Sequence, residues 1–514
     1  MSVKGHVVAV ELAFWGHLKP LCALLSRLVQ IKPTYFTLFT LVAVRDKAIA
    51  EFDRLFIDAG VEHLKPLVRV VGLPIRDDPL DTDDTFKSAY ASAYQELYSE
   101  KPIPILPDGE LLPVVPKPQL VIVDSLLYDA MNLTRSISGK SVPVYAWQTT
   151  SAAAVLLLFG PEQFGGLDDL AAKIGKITET DQEARMKAIG DLFCRNEGKI
   201  LKLTGIPPMY DYELKPQQSA HPMSQAGMAI VCKDYFKFLT ESDAVITHTN
   251  NTLEEGPIED LEKWLGKDKC LQLGPLSPLV SDVELKKEKE SSPIAVEVEA
   301  FLEDALQKYG PNSVIYISFG TFWWPADSHK IQVLVDVLIE QNIPFLFSHA
   351  SPVAVVEDEI KSKIKDSKLG YLASWLPQQT ILRHKACGWF ITHGGQNSYQ
   401  ESLAEGVPLI FWPYDTDQPI NSLNITSVHN AGYELFEVRT GLGLKPIHRL
   451  GDKTPLGTPE SLKSELIDVF TKARGEDGKA KREKAEWFKE QLRKTWEEGG
   501  YSRNQLQKIS NLLE

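Results

Sequence analysis

Short apolar runs alternate with longer stretches of helical periodicity along most of this chain. His6-Val7-Val8-Ala9-Val10 has the uninterrupted apolar character of a strand buried on both faces. Gly16-His17-Leu18-Lys19-Pro20 then opens a helix with Leu21, Leu24, Leu25 and Leu28 along one side. Further strands are predicted at Tyr35 to Val44, Leu120 to Val123, Val142 to Trp147 and Ala244 to Thr247, with helices starting after Ser151 and at Asn251. Asp77 to Asp84 and the proline-rich Lys101 to Lys117 read as loops, and Phe164 to Pro216 as helical and then Pro/Tyr-rich. Leu271 to Leu276 closes this half. A run of alternating Glu and Lys from Ser281 to Pro293 reads as a solvated linker. The alternation restarts with Ser313 to Thr321, a helix over Ile331 to Gln341, and strands at Pro344 to Phe347, Phe390 to Thr392 and Leu409 to Trp412. Strands alternating with helices predict parallel sheets covered on both faces. Two such series joined by one linker predict two α/β domains of similar size, with no short-period repeat.

Composition changes this picture little. A chain of 514 residues has room for roughly three domains by length, and two large ones fit equally well. With 43% hydrophobic and 24% charged residues it can bury a sizeable core. The net charge of −14 argues against nucleic acid or an anionic membrane as partner. Cys22, Cys194, Cys232, Cys270 and Cys387 are scattered without a CxxC pair, which suits free thiols in a reducing compartment. Glu11 interrupts the first apolar run and no cleavage site follows it, so no targeting segment is read there. The longest apolar run, Ala152 to Phe159, falls far short of the ~20 residues of a membrane span. A cytoplasmic protein is expected.

The candidate chemistry concentrates between Trp375 and Gln418. Phe390-Ile391-Thr392 ends at His393-Gly394-Gly395, and Gln396, Asn397 and Ser398 lead into a helix carrying Glu401 and Leu403. Small and capping residues at a helix entrance leave backbone N–H groups free for a phosphate. A second turn, Gly406-Val407-Pro408, feeds a strand whose polar tip carries Asp415, Asp417 and Gln418. An aromatic face, a phosphate cradle, a diol acceptor and two hydrogen-bonding groups are the parts a nucleotide sugar requires.

This stretch resembles, without a gap, the signature box of family 1 UDP-dependent glycosyltransferases, known in its plant form as the secondary product glycosyltransferase box. The resemblance implies that Trp375 stacks on uracil, with Leu376 and Gln378 beside the nucleoside. It gives the diphosphate to His393, Gly395, Asn397 and Ser398, the ribose hydroxyls to Glu401, and the hexose hydroxyls to Asp417 and Gln418. Gly394 and Gln396 depart from the plant form, where a cysteine and a tryptophan stand. The His-Gly-Gly form is similar to animal, fungal and bacterial relatives, and position 396 lies near the sugar. The resemblance covers nearly the whole chain, with good matches at residues 16–20 and 313–321 and a loose one through the acceptor region. It implies the GT-B fold: two facing Rossmann-like domains with the active site in the cleft between them. Residues 1–276 would form the acceptor domain, 277–295 the linker and 296–470 the UDP-sugar domain. Residues 471–514 would form a C-terminal helix crossing back onto the first domain.

Transfer of a sugar to a hydroxyl needs a base for the hydroxyl proton and a holder for the charge on the departing diphosphate. His17, in the first strand-to-helix turn, is the candidate base; taken alone such a histidine is more often a cap or packing residue. Asp124, at the end of its own strand run, is the candidate carboxylate behind it, with Asp129 as the alternative. Asp124 could equally cap the segment that follows. Ser318 and Thr321 would join the diphosphate site. Asp415-Thr416-Asp417 imitates a metal-binding DxD but sits at the sugar position, so no metal and no cofactor are expected, the UDP-sugar being a co-substrate. Asp81 to Asp84 reads as a solvated loop, His384 as structural and Trp412 as core. Phe14, Trp15, Leu127, Trp147, Trp323 and Trp324 could line an apolar acceptor pocket, although each singly is more often core. The expected function is inverting transfer of a hexose, glucose first, from UDP-glucose to a hydroxyl of a lipophilic small molecule. A UDP-sugar epimerase or hydrolase on the same fold, and a non-catalytic nucleotide-sugar-binding protein, are the alternatives.

Overall fold

The structure is a computed structural model that describes residue 3 and residues 5–74, 84–104, 109–218, 224–276, 293–325 and 327–513. The acidic run through Asp81 to Asp83 and the linker up to residue 292 lie outside the described residues.

The first sheet has seven strands: β1 (His6–Val10), β2 (Tyr35–Leu41), β3 (Val68–Leu73), β4 (Leu120–Asp124), β5 (Val144–Gln148), β6 (Ala244–Thr247) and β7 (Cys270–Gln272). They pair in the order β7-β6-β5-β4-β1-β2-β3, and every pairing is parallel. The second sheet has six: β8 (Val314–Ser318), β9 (Phe345–Ser348), β10 (Gly370–Ala373), β11 (Cys387–Thr392), β12 (Leu409–Phe411) and β13 (Gly432–Glu434). Their order is β10-β9-β8-β11-β12-β13, again all parallel.

The apolar runs are explained by burial on both faces. Val8 and Val10 of β1, with Val121 and Val123 of β4, enter the core on one side of the first sheet; Val7, Ala9, Leu120 and Ile122 enter the core on the other. In the second sheet Ile315 and Ile317 face one core, and Val314 and Tyr316 the other. Successive side chains point to opposite faces, so a strand covered on both sides can carry no polar alternation.

Several readings need correction. Within Lys101 to Lys117, read as loop, Ile103–Pro104 and Leu111–Leu112 pair antiparallel, and the strand expected over Ser313 to Thr321 ends at Ser318. The strand expected to run to Val44 stops at Leu41, and Val42–Asp58 is a helix. Buried Ala48, Phe52, Leu55 and Phe56 supply its inward stripe. The segment up to Pro216 holds more than helix and irregular chain: Ile200–Leu203 and Ile206–Tyr210 form an antiparallel pair, reversed through Gly205 at φ +75°.

Each sheet has one point where the connections change direction, between β1 and β4 in the first and between β8 and β11 in the second. Open α/β sheets leave a crevice for ligands outside the carboxyl ends of the strands there. Helix α1 (Trp15–Ile31) follows β1, α2 (Ala152–Phe159) follows β5, α3 (Asn251–Leu265) follows β6 and α4 (Gln396–Ala404) follows β11. After β12 comes the short helix α5 (Gln418–Leu423), whose Ile420 and Leu423 pack into the first domain's core beside α2. The tail, expected as one helix over residues 471–514, is two helices, and it divides between the two halves. In α6 (Glu476–Lys494) Ala485, Phe488 and Leu492 belong to the second domain's core, whereas Leu506 and Ile509 of α7 (Tyr501–Ser510) join the core beneath β1. Trp496, between them, donates to the Pro275 carbonyl at 2.6 Å. Among the described residues no helix is long and apolar enough to cross a membrane.

Candidate active site

The turn after β1 places His17 in the first turn of α1, where its amide and that of Leu18 both donate to the Phe14 carbonyl at 2.9 Å. Adjacent β4 ends at Asp124. Because Val10 lies opposite Val123 in register, the β1 turn and Asp124 emerge at the same sheet edge. His17 Nδ1 lies 2.7 Å from Asp124 Oδ2, and Asp124 Oδ1 accepts from the Leu126 amide at 2.9 Å. With Nδ1 donating to the carboxylate, Nε2 keeps its lone pair. Asp124 is buried, while 26% of the His17 side chain is exposed, so the imidazole has a closed side and an open one. Trp147 fixes the backbone below by donating from its indole nitrogen to the His17 carbonyl at 3.2 Å. The alternative carboxylate, Asp129, is exposed and paired with Lys87.

Glu11 stands beside this pair, and the sequence reading passed over it except as an interruption of an apolar run. It is fully buried, neither carboxylate oxygen has a hydrogen-bond partner, and one ligand atom each of Glu11, His17 and Asp124 lies within 4.8 Å of the others. Burial, with the Asp124 charge added, pushes its carboxyl well above the ordinary range. A buried acid at the end of a parallel strand, where ligands bind, was the available signal.

On the opposite side, β11 leads through His393-Gly394-Gly395 into α4, with Gly395 as N-cap. The His393 ring sits between two glycines: a Cβ would come within 2.8 Å of it at Gly320 (φ +77°) and within 2.5 Å at Gly395. Burial pulls its pKa down to about 4. Ser318 ends β8, its hydroxyl accepting from the Gly320 amide at 3.4 Å, and Thr321 is exposed in the same turn. Trp375 presents an aromatic face that is 49% exposed, whereas Leu376 beside it is buried. Gln378 donates to Glu401 Oε2 at 2.7 Å and accepts from Tyr316 at 3.3 Å. Glu401 Oε1 accepts from Lys19 Nζ at 2.8 Å. Burial alone would raise the Glu401 carboxyl, but the Lys19 charge and the hydrogen bonds from Lys19 and Gln378 outweigh it and hold it below the ordinary range.

The polar tip after β12 is likewise engaged. Asp415 is buried in an ion pair with Lys215 of the first domain and accepts from Gln225 at 2.9 Å. Asp417 accepts from Asn421 at 2.8 Å and Thr416 at 3.1 Å, while burial raises its carboxyl above the usual range. Gln418 Oε1 accepts from the amides of Tyr414 and Asp415 at 3.0 and 3.4 Å.

The two halves meet through His248, which follows β6 and which the sequence reading missed. Its Nε2 donates to Asn397 Oδ1 at 3.0 Å, and its carbonyl accepts from Gln396 at 2.9 Å and Gln400 at 2.7 Å. Asn397 donates in turn to the Gly16 carbonyl at 2.7 Å. The polar run His248-Thr249-Asn250-Asn251, placed directly after a buried strand, was the signal. Ser398, half-buried, shares the same first turn of α4.

Four residues assigned to an apolar acceptor pocket are core residues instead. Trp147 is wholly buried under the first sheet and Leu127 lies in the core on its other face. Trp323 stacks on Tyr414, and Trp324 stacks on Phe347 while donating to the Val355 carbonyl at 3.2 Å. Large rings fill the space between helix and sheet, where burial gains most. Phe14 and Trp15 remain partly open; the Phe14 ring is 5.6 Å from that of His17, and Lys47 lies over Trp15. Trp412 is core, and His384 bonds Glu303 and the Ala386 amide.

Residues 233–441 match the family described as UDP-glucoronosyl and UDP-glucosyl transferase. The chain is 31% identical over 494 residues to UDP-glycosyltransferase eriJ of Hericium erinaceus, covering 92% of this chain and 91% of that protein. It is 34% identical over 215 residues to solanidine UDP-glucose glucosyltransferase 1 of Solanum tuberosum, covering 40% of this chain and 38% of that one. Among solved structures, a UGT transferase from Siraitia grosvenorii in complex with UDP superposes with a TM-score of 0.69 at 17% identity, covering 99% of both chains. Phytolacca americana UGT2, complexed with UDP-2-fluoro-glucose and pterostilbene, superposes at 0.67 and 20% identity, covering 99% of this chain and 100% of that one. The fold shared with these structures is GT-B.

Proposed function

From the premise that the chain belongs to the UDP-glycosyltransferase family, we propose that it moves a hexose, glucose first, from a UDP-sugar to a hydroxyl of a lipophilic small molecule, with inversion. The observation that carries this reading is the position of the His17–Asp124 pair: Gly16, next to His17, is bonded to Asn397 in the first turn of α4. A base and a helix amino end suited to phosphate therefore face each other across one cleft.

In the proposed step the acceptor hydroxyl approaches His17 Nε2. Its proton passes to the imidazole as its oxygen bonds to the anomeric carbon, and the bond from that carbon to the β-phosphate oxygen breaks. The electron pair leaves with UDP. Asp124 stabilises the imidazolium and fixes its tautomer without taking the proton. The α4 amides, His393 and the Ser318–Thr321 turn receive the diphosphate charge. His393, held neutral by burial, serves as a hydrogen-bond partner and not as a cation. Trp375 takes the uracil, Glu401 the ribose, and Asp417 and Gln418 the hexose. Asp415, committed to Lys215, is no ready metal ligand, and we assign the step no metal. Phe14 supplies the apolar wall beside the base. The neighbouring structure that holds pterostilbene and the relative named for solanidine favour phenolic or sterol-like acceptors.

The test is incubation with UDP-glucose and a panel of phenols, sterols and hydroxy fatty acids, reading UDP release and product mass beside His17→Ala. A product heavier by one hexose, absent from the variant, is expected. UDP release without any conjugate would favour a hydrolase, and binding without turnover of any sugar nucleotide a non-catalytic protein.

A further inference from the structure

The contact between the amino ends of α1 and α4 repeats one helical turn on. Gly16 meets Asn397, and Lys19 meets Glu401. Spacings of three and four residues place each pair on one face of its own helix. The Lys19–Glu401 pair thus lies about 6 Å, roughly one helical turn, along α4 from Asn397, which is assigned to the diphosphate. It joins the helix that carries the base to the carboxylate assigned to the ribose, and it is largely shielded from solvent: 22% of the Lys19 side chain and 6% of that of Glu401 are exposed.

We propose that Lys19 is a donor-binding residue that the acceptor-side domain lends to the nucleotide site, where its ammonium offsets the Glu401 carboxylate so that a diphosphate can enter beside it. The inference rests on the reading of Glu401 as the ribose holder. A buried carboxylate within a turn of a phosphate cradle repels the incoming anion, and repulsion is strong where water is excluded. The carboxylate must nevertheless stay ionised to accept from two ribose hydroxyls. A cation bonded to one of its oxygens meets both demands, because each carboxylate oxygen has a second lone pair to offer. Other charges facing Lys19 do not replace it. Glu51 acts on Lys19 but is bound to Arg54, and Lys47 is drawn to the Trp15 ring. Burial would lower the Lys19 pKa, but Glu401 and Glu51 together raise it, so the cation persists at neutral pH.

The test is calorimetric titration of UDP and of uridine into the wild-type chain, Lys19→Met, Lys19→Arg, Glu401→Gln and the Lys19→Met/Glu401→Gln pair, each checked by thermal melting. Lys19→Met should weaken UDP binding about tenfold or more, since the truncated partner leaves a buried charge behind. Uridine, which carries no phosphate, should lose less than about a third of that effect on a logarithmic scale. Lys19→Arg should keep most of the affinity. In the Glu401→Gln background the loss on removing Lys19 should shrink, which the cycle measures even if a single variant melts early. Equal losses for UDP and uridine, or UDP binding to Lys19→Met as tight as to the wild type or tighter, would overturn the proposal, the last marking Lys19 as a plug of the empty site. A wild-type chain that takes up no UDP would instead overturn the reading of the nucleotide site itself.

Discussion

His248 Nε2 lies 3.0 Å from Asn397 Oδ1, so one hydrogen bond joins the end of a first-domain strand to the amino end of the second domain's glycine-turn helix. Burial pulls the His248 pKa down to about 4, and its Nδ1 is buried without a partner. Below the reference value of 6.5 an unfolded chain binds a proton here that the folded chain refuses, so stability falls as pH drops from 6.5 to about 4. His393, also held at about 4, adds to the same window. The cost of acidification from His248 is on the order of 3 kcal/mol. Thermal melts across that window should show a shallower slope for His248→Gln, which keeps a donor but cannot titrate there.

Removing the base should abolish transfer while sparing the nucleotide. His17→Ala is expected to lower kcat by roughly 10²- to 10⁴-fold with UDP affinity unchanged. Asp124→Asn should lower kcat as well, because the Nδ1 donor loses its carboxylate. Steady-state kinetics beside UDP titration separate the two effects; a parallel fall in UDP affinity would count against these roles.

Glu11 offers a stability test of opposite sign. Its folded pKa is raised, so its contribution is fully present below the unfolded value of about 4.5 and is lost as pH climbs toward the folded value. Glu11→Gln mimics the neutral acid without its titration. The variant should melt above the wild type by a margin that grows as pH rises above about 4.5, and a constant margin would contradict the raised carboxyl.

Trp375, half exposed, should matter for donor binding and hardly for folding. Trp375→Ala is expected to cost about 1–3 kcal/mol of UDP affinity through lost base stacking. Its melting temperature should stay within a degree or two of the wild type, a pairing of outcomes that calorimetry and thermal melts can read together.

Much of the fold was legible because a strand covered on both faces leaves an uninterrupted apolar run: His6 to Val10, Leu120 to Val123 and, within the expected Ser313 to Thr321, Val314 to Ser318 all proved to be strands. The overextended strand at Tyr35 failed where a strand runs straight into a helix without a turn residue, since Leu41 and Val42 suit either. Four of the six residues offered for an apolar pocket went into cores for a different reason. A tryptophan in the sequence carries no mark of whether its ring faces a cleft or a core, and Trp147 and Trp324 found cores.

The sequence by itself determined the family, the two parallel α/β halves, and the identity of the residues in the box, because those rest on local spacing and on strand-ending turns. Only the tertiary structure decided what each polar group meets. His17 and Asp124 are 107 residues apart and Lys19 and Glu401 are 382 apart. Adjacent parallel strands and the facing of two sheets bring them together. Local sequence cannot encode such distances, and the burial that shifts the titration of Glu11 and His248 exists only once the chain has folded.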